Sequence, residues 1–207
     1  ARSRGWCVTG LERAPDAARA HGITIHTTTA DFVGCGFDAI TLWHSLEHFP
    51  DPLQLLQQLT GLLNPNGVII IAVPNFSGWQ ARLFGRGWLH LDVPRHLWHF
   101  SRQALLLMLQ QCHLTPIAIR HCEFEYDLLG WSQSLLNTLH PDRANEFFHL
   151  LTRKPTRSGT MGKLYQLVAG AIFTTLALPL LPLSAIAGKG GTLLLTAKES
   201  ALMGEMP

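Results

Sequence analysis

Two apolar runs of strand length stand out along this chain, and each gives way to a polar tip. The first, Ala39 to Trp43, is partly β-branched and follows Asp38, which predicts a short buried strand. It ends at His44-Ser45-Leu46-Glu47-His48 and a Pro50-Asp51-Pro52 break. Leu53, Leu55, Leu56, Leu59, Leu62 and Leu63 then recur at helical spacing and predict a core-facing helix. Asn64-Pro65-Asn66-Gly67 predicts a turn. Val68 to Val73 predicts the second strand, apolar throughout as in a sheet covered on both faces, with Pro74-Asn75 at its end.

The flanking segments fit the same alternation. Trp6 to Glu12 reads as a strand with an acidic tip, Pro15 to His21 as a helix with proline in its first turn, and Ile23 to Thr27 as a short strand. Residues 76–100 are polar and aromatic without clean periodicity, too long for a simple connector and suited to a lid or binding loop. Ser101 reads as the cap of a helix whose apolar stripe runs from Ala104 to Gln111, and Pro116 to Glu123 as a strand. Residues 125–163 read as helical in places, with no chemistry evident. Gly190 to Lys198 reads as a final strand.

Strand, polar tip, then helix is the βα unit of an open parallel sheet, in which ligands sit at the carboxyl ends of the strands. That places the active-site edge at His44 to His48. The same five residues spell H-x-x-E-H, the spacing of an inverted zincin motif. A metallohydrolase needs both histidines on one helical face and a further ligand. Pro50 and Pro52 leave room for barely one helical turn, so metal hydrolysis is the lesser reading and no metal site is expected.

At 207 residues the chain is most simply one domain, 1–207, with a lid at 76–100 and a helical insertion at 125–189. Only 14% of residues are charged and the net charge is +2, with no basic block, so nucleic acid is not an expected partner. Cys7, Cys35, Cys112 and Cys122 form no C-x-x-C pair and suit a reduced, cytoplasmic protein. The chain opens without an initiating Met, which leads us to expect a fragment or processed product.

The run from Phe37 to Pro52 resembles the fourth-strand region of class I S-adenosylmethionine-dependent methyltransferases, in the branch related to ubiquinone-biosynthesis O-methyltransferases. Leu63-Asn64-Pro65-Asn66-Gly67, Pro74-Asn75, and His90-Leu91-Asp92-Val93-Pro94-Arg95-His96-Leu97 followed by Phe100-Ser101 extend the likeness, in that order. It covers roughly residues 5–125 and resumes weakly near Gly190. The resemblance implies a Rossmann-like α/β three-layer sandwich, its sheet mostly parallel, with an antiparallel last strand at the far side. It also implies S-adenosyl-L-methionine as cofactor and a small-molecule methyl acceptor.

By the same resemblance Glu12 would accept hydrogen bonds from the ribose hydroxyls, with Leu11 beside the adenosine. Its alternative is an exposed carboxylate at a helix start. Asp31 would face the adenine amino group with Phe32 as ring neighbour, or serve as a turn aspartate. Trp43 and His44, at the strand tip, complete the cofactor-binding set. Asp92, Arg95 and His96 would line the acceptor side, with His48 or His96 as general base, because a neutral imidazole suits deprotonation of a hydroxyl near neutral pH. The alternative for Asp92 and Arg95 is a structural pair.

Two features depart from the pattern. The family's first strand and glycine-rich loop should precede Glu12 by roughly 20 residues, and no G-x-G-x-G precedes it here. We therefore expect a chain lacking the first strand and helix and impaired in cofactor binding, with a non-catalytic partner- or membrane-binding remnant as the alternative. Leu164 to Gly188 carries no charge and reaches membrane-span length, but Pro179 and Pro182 interrupt it. The expectation is a hydrophobic helical hairpin on the domain or in one leaflet, with Arg153, Lys154, Arg157 and Lys163 near anionic headgroups on the inner membrane face. Plain buried core is its alternative.

Overall fold

Six strands and seven α-helices are described by the computed structural model, which covers residues 2–12, 23–32 and 34–200. In chain order they are β1 (Thr9–Leu11), β2 (Thr24–His26), β3 (Phe37–Trp43), α1 (Pro52–Thr60), β4 (Leu63–Pro74), α2 (Trp79–Phe84), α3 (Arg102–Gln111), β5 (Leu114–Arg120), α4 (Phe124–Leu139), α5 (Glu146–Leu151), α6 (Thr160–Ala177), α7 (Leu180–Ile186) and β6 (Thr192–Glu199). The helix expected over Pro15 to His21 lies outside the described residues.

β1 and β2 pair in parallel, Thr9 with Thr24 through Leu11 with His26. The larger sheet has the order β3-β4-β6-β5. β3 runs parallel to β4, Ala39 beside Val68 through Trp43 beside Ala72. β6 is antiparallel to both β4 and β5, so β3, β4 and β5 share one direction. The last strand is thus antiparallel as expected. It is inserted between β4 and β5, however, and β5 rather than β6 forms the far edge.

Local chemistry sets the element ends. Asp51 accepts from the Gln54 amide at 2.9 Å and Pro52 occupies the first turn of α1, where its missing N–H costs nothing. Ser101 Oγ accepts from the Ala104 amide at 3.1 Å and starts α3. The expected turn at residues 64–67 is instead part of a long β4. Asn66 takes a left-handed φ of 67°, and the β3–β4 register shifts between Phe37 and Ala39. The turn residues bend the strand entry as a bulge does, without ending its pairing. The helix before it stops at Thr60, and Leu63 already belongs to the strand.

The main core packs Leu42, Leu46, Leu55, Leu56 and Leu59 against Ile69, Ile71, Val73, Leu105, Leu109, Leu193 and Leu195. Two smaller apolar clusters, around Trp131 with Leu181 and around Leu136 with Phe147, hold the 121–191 insertion together. α6 and α7 meet at 45°, a bent pair and not the expected hairpin. α6 buries Gln166, Ala169 and Gly170 and turns Leu164, Val168, Ile172 and Leu176 outward, so it is not plain core.

β5 ends, and β6 begins, at the edge where β3 and β4 end. The insertion is fastened there by a buried polar knot. Asp127 Oδ2 accepts from the Gly191 amide at 2.8 Å, and the Asp127 carbonyl accepts from Gln80 Nε2 at 2.8 Å. Asn75 reaches across to the Gly190 and Gly191 carbonyls at 2.8 and 2.7 Å. A Cβ at Gly190 would collide with the His121 carbonyl, so the approach requires glycine.

Burial pushes the Asp127 carboxyl up to about 6, outweighing the Thr192 hydroxyl and Gly191 amide that favour its charged form. Between about pH 4 and 6 the folded chain therefore holds a proton that the unfolded chain has lost. This contribution is full below that window and is lost as pH rises through it, by up to about 3 kcal/mol. Asp127→Asn keeps an acceptor for Gly191 and removes the titration. Urea unfolding of the two proteins should show the wild type losing stability relative to the variant across that window. A difference independent of pH would overturn the assignment.

Candidate functional site

The polar tip of β3 folds into a tight turn that sets a cluster of histidines around one acid. His44 leaves the strand with a left-handed φ of 45°, and Leu46–His48 forms a single 3-10 turn. Asp92, in the facing loop, is also left-handed at φ 36°. Two non-glycine residues held in this sparsely populated region face each other across one site, a placement typical of functional geometry.

The loop is latched to that turn through its backbone. The Glu47 carbonyl accepts from the Leu97 and Trp98 amides at 2.9 and 3.3 Å. Trp98 Nε1 donates to the Pro50 carbonyl at 3.2 Å. The His48 and His96 rings lie 4.8 Å apart. His48 Nδ1 meets the Arg95 carbonyl at 2.9 Å and His96 Nδ1 the His90 carbonyl at 2.8 Å. A carbonyl only accepts, so each Nδ1 carries the proton and each neutral ring keeps its lone pair on Nε2.

Glu47 is 1% exposed, and neither carboxylate oxygen accepts a hydrogen bond. Its nearest positive partners would be His44 Nδ1 at 3.7 Å and His96 Nε2 at 3.9 Å. Asp92 stands 3.8 Å from His96 Nε2 and pairs with Arg95 at 2.5 Å. His90 is buried behind them, and desolvation with the facing His44 pushes its pKa down to about 4. Burial also lowers the His96 pKa, against the His90 carbonyl and the Glu47 and Asp92 carboxylates that favour its charged form.

These groups open into a cavity of about 390 Å³ at the carboxyl edge of the sheet, lined by His44, Glu47, His48, His90, Asp92, Arg95 and His96. Its opposite wall comes from the insertion: Glu125, Tyr126, Leu129, Asn145, Phe148, His149 and Lys154. The Tyr126 ring stacks on His44 at 3.9 Å between centroids and 12° between planes. Sequence reasoning found no chemistry in this segment. The contact joins residues more than eighty positions apart, and no local pattern announces it. The donor atoms of Glu47, His48 and His96 all lie within 4.8 Å of one another, close enough to share one ion. The loop thus brings His96 beside two residues of the strand tip, a meeting that the local H-x-x-E-H spacing does not announce.

The expected cofactor residues are dispersed. Leu11 and Phe32 line a second, more apolar cavity of about 500 Å³ between the two sheets. Its walls take consecutive residues, Thr9 to Leu11 and Ala39 to Leu42. Consecutive positions point to opposite faces, so this cavity runs along two strand edges. Phe32 is buried edge-on against His26 and Phe37. Glu12 and Asp31 are exposed near the ends of β1 and β2, with Asp31 3.6 Å from His26. Trp43 is exposed, and His44 belongs to the histidine cavity. Asp92, Arg95, His96 and His48 are the expected residues that the fold brings together.

Residues 1–119, more than half of the chain, match the family model described as a methyltransferase domain. A ubiquinone biosynthesis O-methyltransferase of Actinobacillus pleuropneumoniae serotype 7 is 40% identical over 114 residues, covering 46% of this chain and 49% of that protein. One from Haemophilus ducreyi is 39% identical over 104 residues, covering 44% of each. The matches span less than half the length of these relatives. In fold the chain is similar to a methyltransferase of Thermotoga maritima (TM-score 0.51, 14% identity, 91% of this chain and 70% of that one). It is likewise similar to one from Archaeoglobus fulgidus (TM-score 0.50, 15% identity, 92% and 75%). Both are S-adenosylmethionine-dependent by name. The sheet with its antiparallel insertion strand, the polar strand tip and the match over residues 1–119 agree: this chain belongs to the methyltransferase-domain family.

Proposed function

We propose that this chain serves S-adenosylmethionine-dependent methyl transfer to a hydroxyl of a small molecule bound in the histidine cavity. The observation that carries the reading is the convergence of His48, His96 and Glu47 on one cavity at the carboxyl edge of the sheet. The acceptor oxygen would attack the sulfonium methyl in line. The new O–C bond forms as the S–C bond breaks, the electron pair goes to sulfur, and the hydroxyl proton leaves toward the cluster. Positioning and exclusion of water would carry most of the rate. Tyr126, Leu129 and Phe148 supply apolar walls, and Arg95 and Lys154 charge at the rim. The names of the curated relatives support oxygen as the acceptor atom.

His48→Ala and His96→Ala should each lower turnover by about 100-fold or more, in the range of a positioned proton acceptor. Full turnover in both would remove the cluster from the chemistry. Tyr126→Ala should raise KM more than it lowers kcat, since the ring forms a wall of the cavity.

Cofactor affinity in this reading depends on the groove between β1 and β3. Both strands leave an edge unpaired beside it, among the described residues. Calorimetry with S-adenosylmethionine should show weak binding by this chain. A chimera carrying the glycine-rich strand of a relative should bind at least about tenfold tighter, the gain expected when backbone amides are organised around a ligand. Equal affinity would exclude the groove as the limit.

We also propose contact with an anionic bilayer through α6 and α7. No single described helix is long and apolar enough to cross a membrane. Leu176 and Ile186 are nevertheless 64% and 86% exposed on an apolar face. Between Glu146 and Glu199 the chain carries Arg153, Lys154, Arg157, Lys163, Lys189 and Lys198 and no acid. Apolar surface beside uncompensated cations suits an interfacial helix. The chain should float with phosphatidylglycerol vesicles, less so at high salt, and not with phosphatidylcholine. Leu176→Asp with Ile186→Asp should abolish flotation. Failure to float with either vesicle would sink the proposal.

A further inference from the structure

We propose that Asp127 is a proton-operated latch on the second wall of the histidine cavity. With the carboxyl protonated, α4 is held and Tyr126 lies on His44; with it ionised, the first turn of α4 lets go and the wall opens. The inference goes beyond the chemistry proposed above and rests on it only for what the cavity holds.

One helical turn joins the latch to the wall. Glu123 caps α4: its carboxylate accepts from the Tyr126 amide at 2.8 Å, and its carbonyl accepts from the Asp127 amide at 2.8 Å. Tyr126 turns its ring onto His44 and its carbonyl toward His90 Nε2, 3.4 Å away. Asp127, about 100° further round the helix, enters the knot with Gln80 and Gly191 and is completely buried. Tyr126 is itself 38% exposed, so its place against His44 depends on where that turn is held.

The knot is short of donors when Asp127 is ionised. Oδ2 accepts from the Gly191 amide, but Oδ1 has no donor, and neither has Gln80 Oε1 in the same knot. A Cβ on Gly191 would strike Gln80 and one on Gly190 would press on Asp127 Oδ2, so both side chains crowd one glycine pair. A single proton on Oδ1 turns two unserved buried acceptors into a donor and an acceptor.

The surrounding charges leave the acid without a counter-ion. No cation pairs with Asp127 among the described residues. At the entry of α4, Cys122 faces it with a thiol pushed up to about 12 by burial and then by the charge of Asp127, and Glu123 stands beside that thiol. From β6 come the neutral Thr192 hydroxyl and Gly191 amide, and from α2 the neutral Gln80. His121, whose carbonyl abuts Gly190, has its pKa lowered by burial and by Arg102 and Lys189. Desolvation outweighs the groups that favour the ionised acid and places its change at about 6. An opened turn gives the acid water and returns it toward its ordinary 3.8, so ionisation should favour the open wall by up to about 100-fold.

The test is fluorine NMR of the whole chain labelled with 3-fluorotyrosine. The chain has two tyrosines, Tyr126 and Tyr165, and Tyr165→Phe leaves Tyr126 as the single resonance. Its shift is followed through the window around pH 6. In the otherwise wild-type protein the resonance should leave its stacked position with a midpoint near 6. Asp127→Asn keeps an acceptor for Gly191 and presents an amide donor where the protonated acid has its hydroxyl, so its resonance should stay stacked throughout. Thr192→Val removes a hydroxyl that favours the ionised acid and should move the midpoint to higher pH. His121→Gln should leave the midpoint in place. A wild-type resonance that does not move overturns the latch. So does a midpoint that survives in Asp127→Asn, which would assign the titration to His44 under the ring, or one that Thr192→Val fails to move or His121→Gln abolishes. The spectra involve neither cofactor nor acceptor. A protein that shows the pattern without methyl transfer keeps the latch and sinks the acceptor reading, and an active protein without the pattern does the reverse.

Discussion

The insertion of β6 between β4 and β5 is the constraint on which the rest of the molecule depends. Because β6 is antiparallel to both, the segment between β5 and β6 must leave and return at the same edge of the sheet. That edge is where β3 and β4 deliver their polar tips. Residues 121–191 therefore have to pack over the tips, and α4 is pinned there by Asp127, Gln80 and the Gly190-Gly191 approach. The second wall of the cavity follows from strand direction before any side chain of the insertion is considered.

The electrostatics of the site follow from that closure. Covering the tip of β3 removes water from Glu47, His90 and His96, and the protein returns no hydrogen bond to the Glu47 carboxylate. Apolar packing elsewhere, with Leu46 completely buried beside Glu47, keeps the turn in place despite this cost. Left-handed backbone at His44 and Asp92 falls on the same few residues. A buried carboxylate without hydrogen bonds and left-handed backbone thus coincide at this site, although left-handed backbone also occurs at Asn66, His113, Asn145 and Arg153.

The two cavities divide the expected site residues between them. The histidine cavity is complete in charge, walls and access. The groove between β1 and β3 is apolar and bounded by strand edges, which natural sheets seldom leave uncovered. Leu11 and Phe32 fall on that groove, and Asp92, Arg95 and His96, expected on the acceptor side, on the other cavity.

Much of this was legible in the sequence. The β3–α1–β4 unit followed from an apolar run, a proline-bounded turn and leucines at helical spacing, all governed by contacts within a few residues. His48, Asp92, Arg95 and His96 were also legible as a set, through the likeness of their two motifs and not through any local physics. What the sequence could not decide was every relation that joins distant segments. Asn64 to Gly67 carries strong turn chemistry, yet pairing with β3 kept it in the strand. H-x-x-E-H gave no sign of His96, which only the folded loop brings close to Glu47 and His48. Tyr126 stacks on His44 because β6 closes the sheet where it does. Periodicity and turn signals report the energy of near neighbours. The identity of the neighbour across a cavity depends on strand order and chain direction, and these are decided only when the whole sheet is assembled.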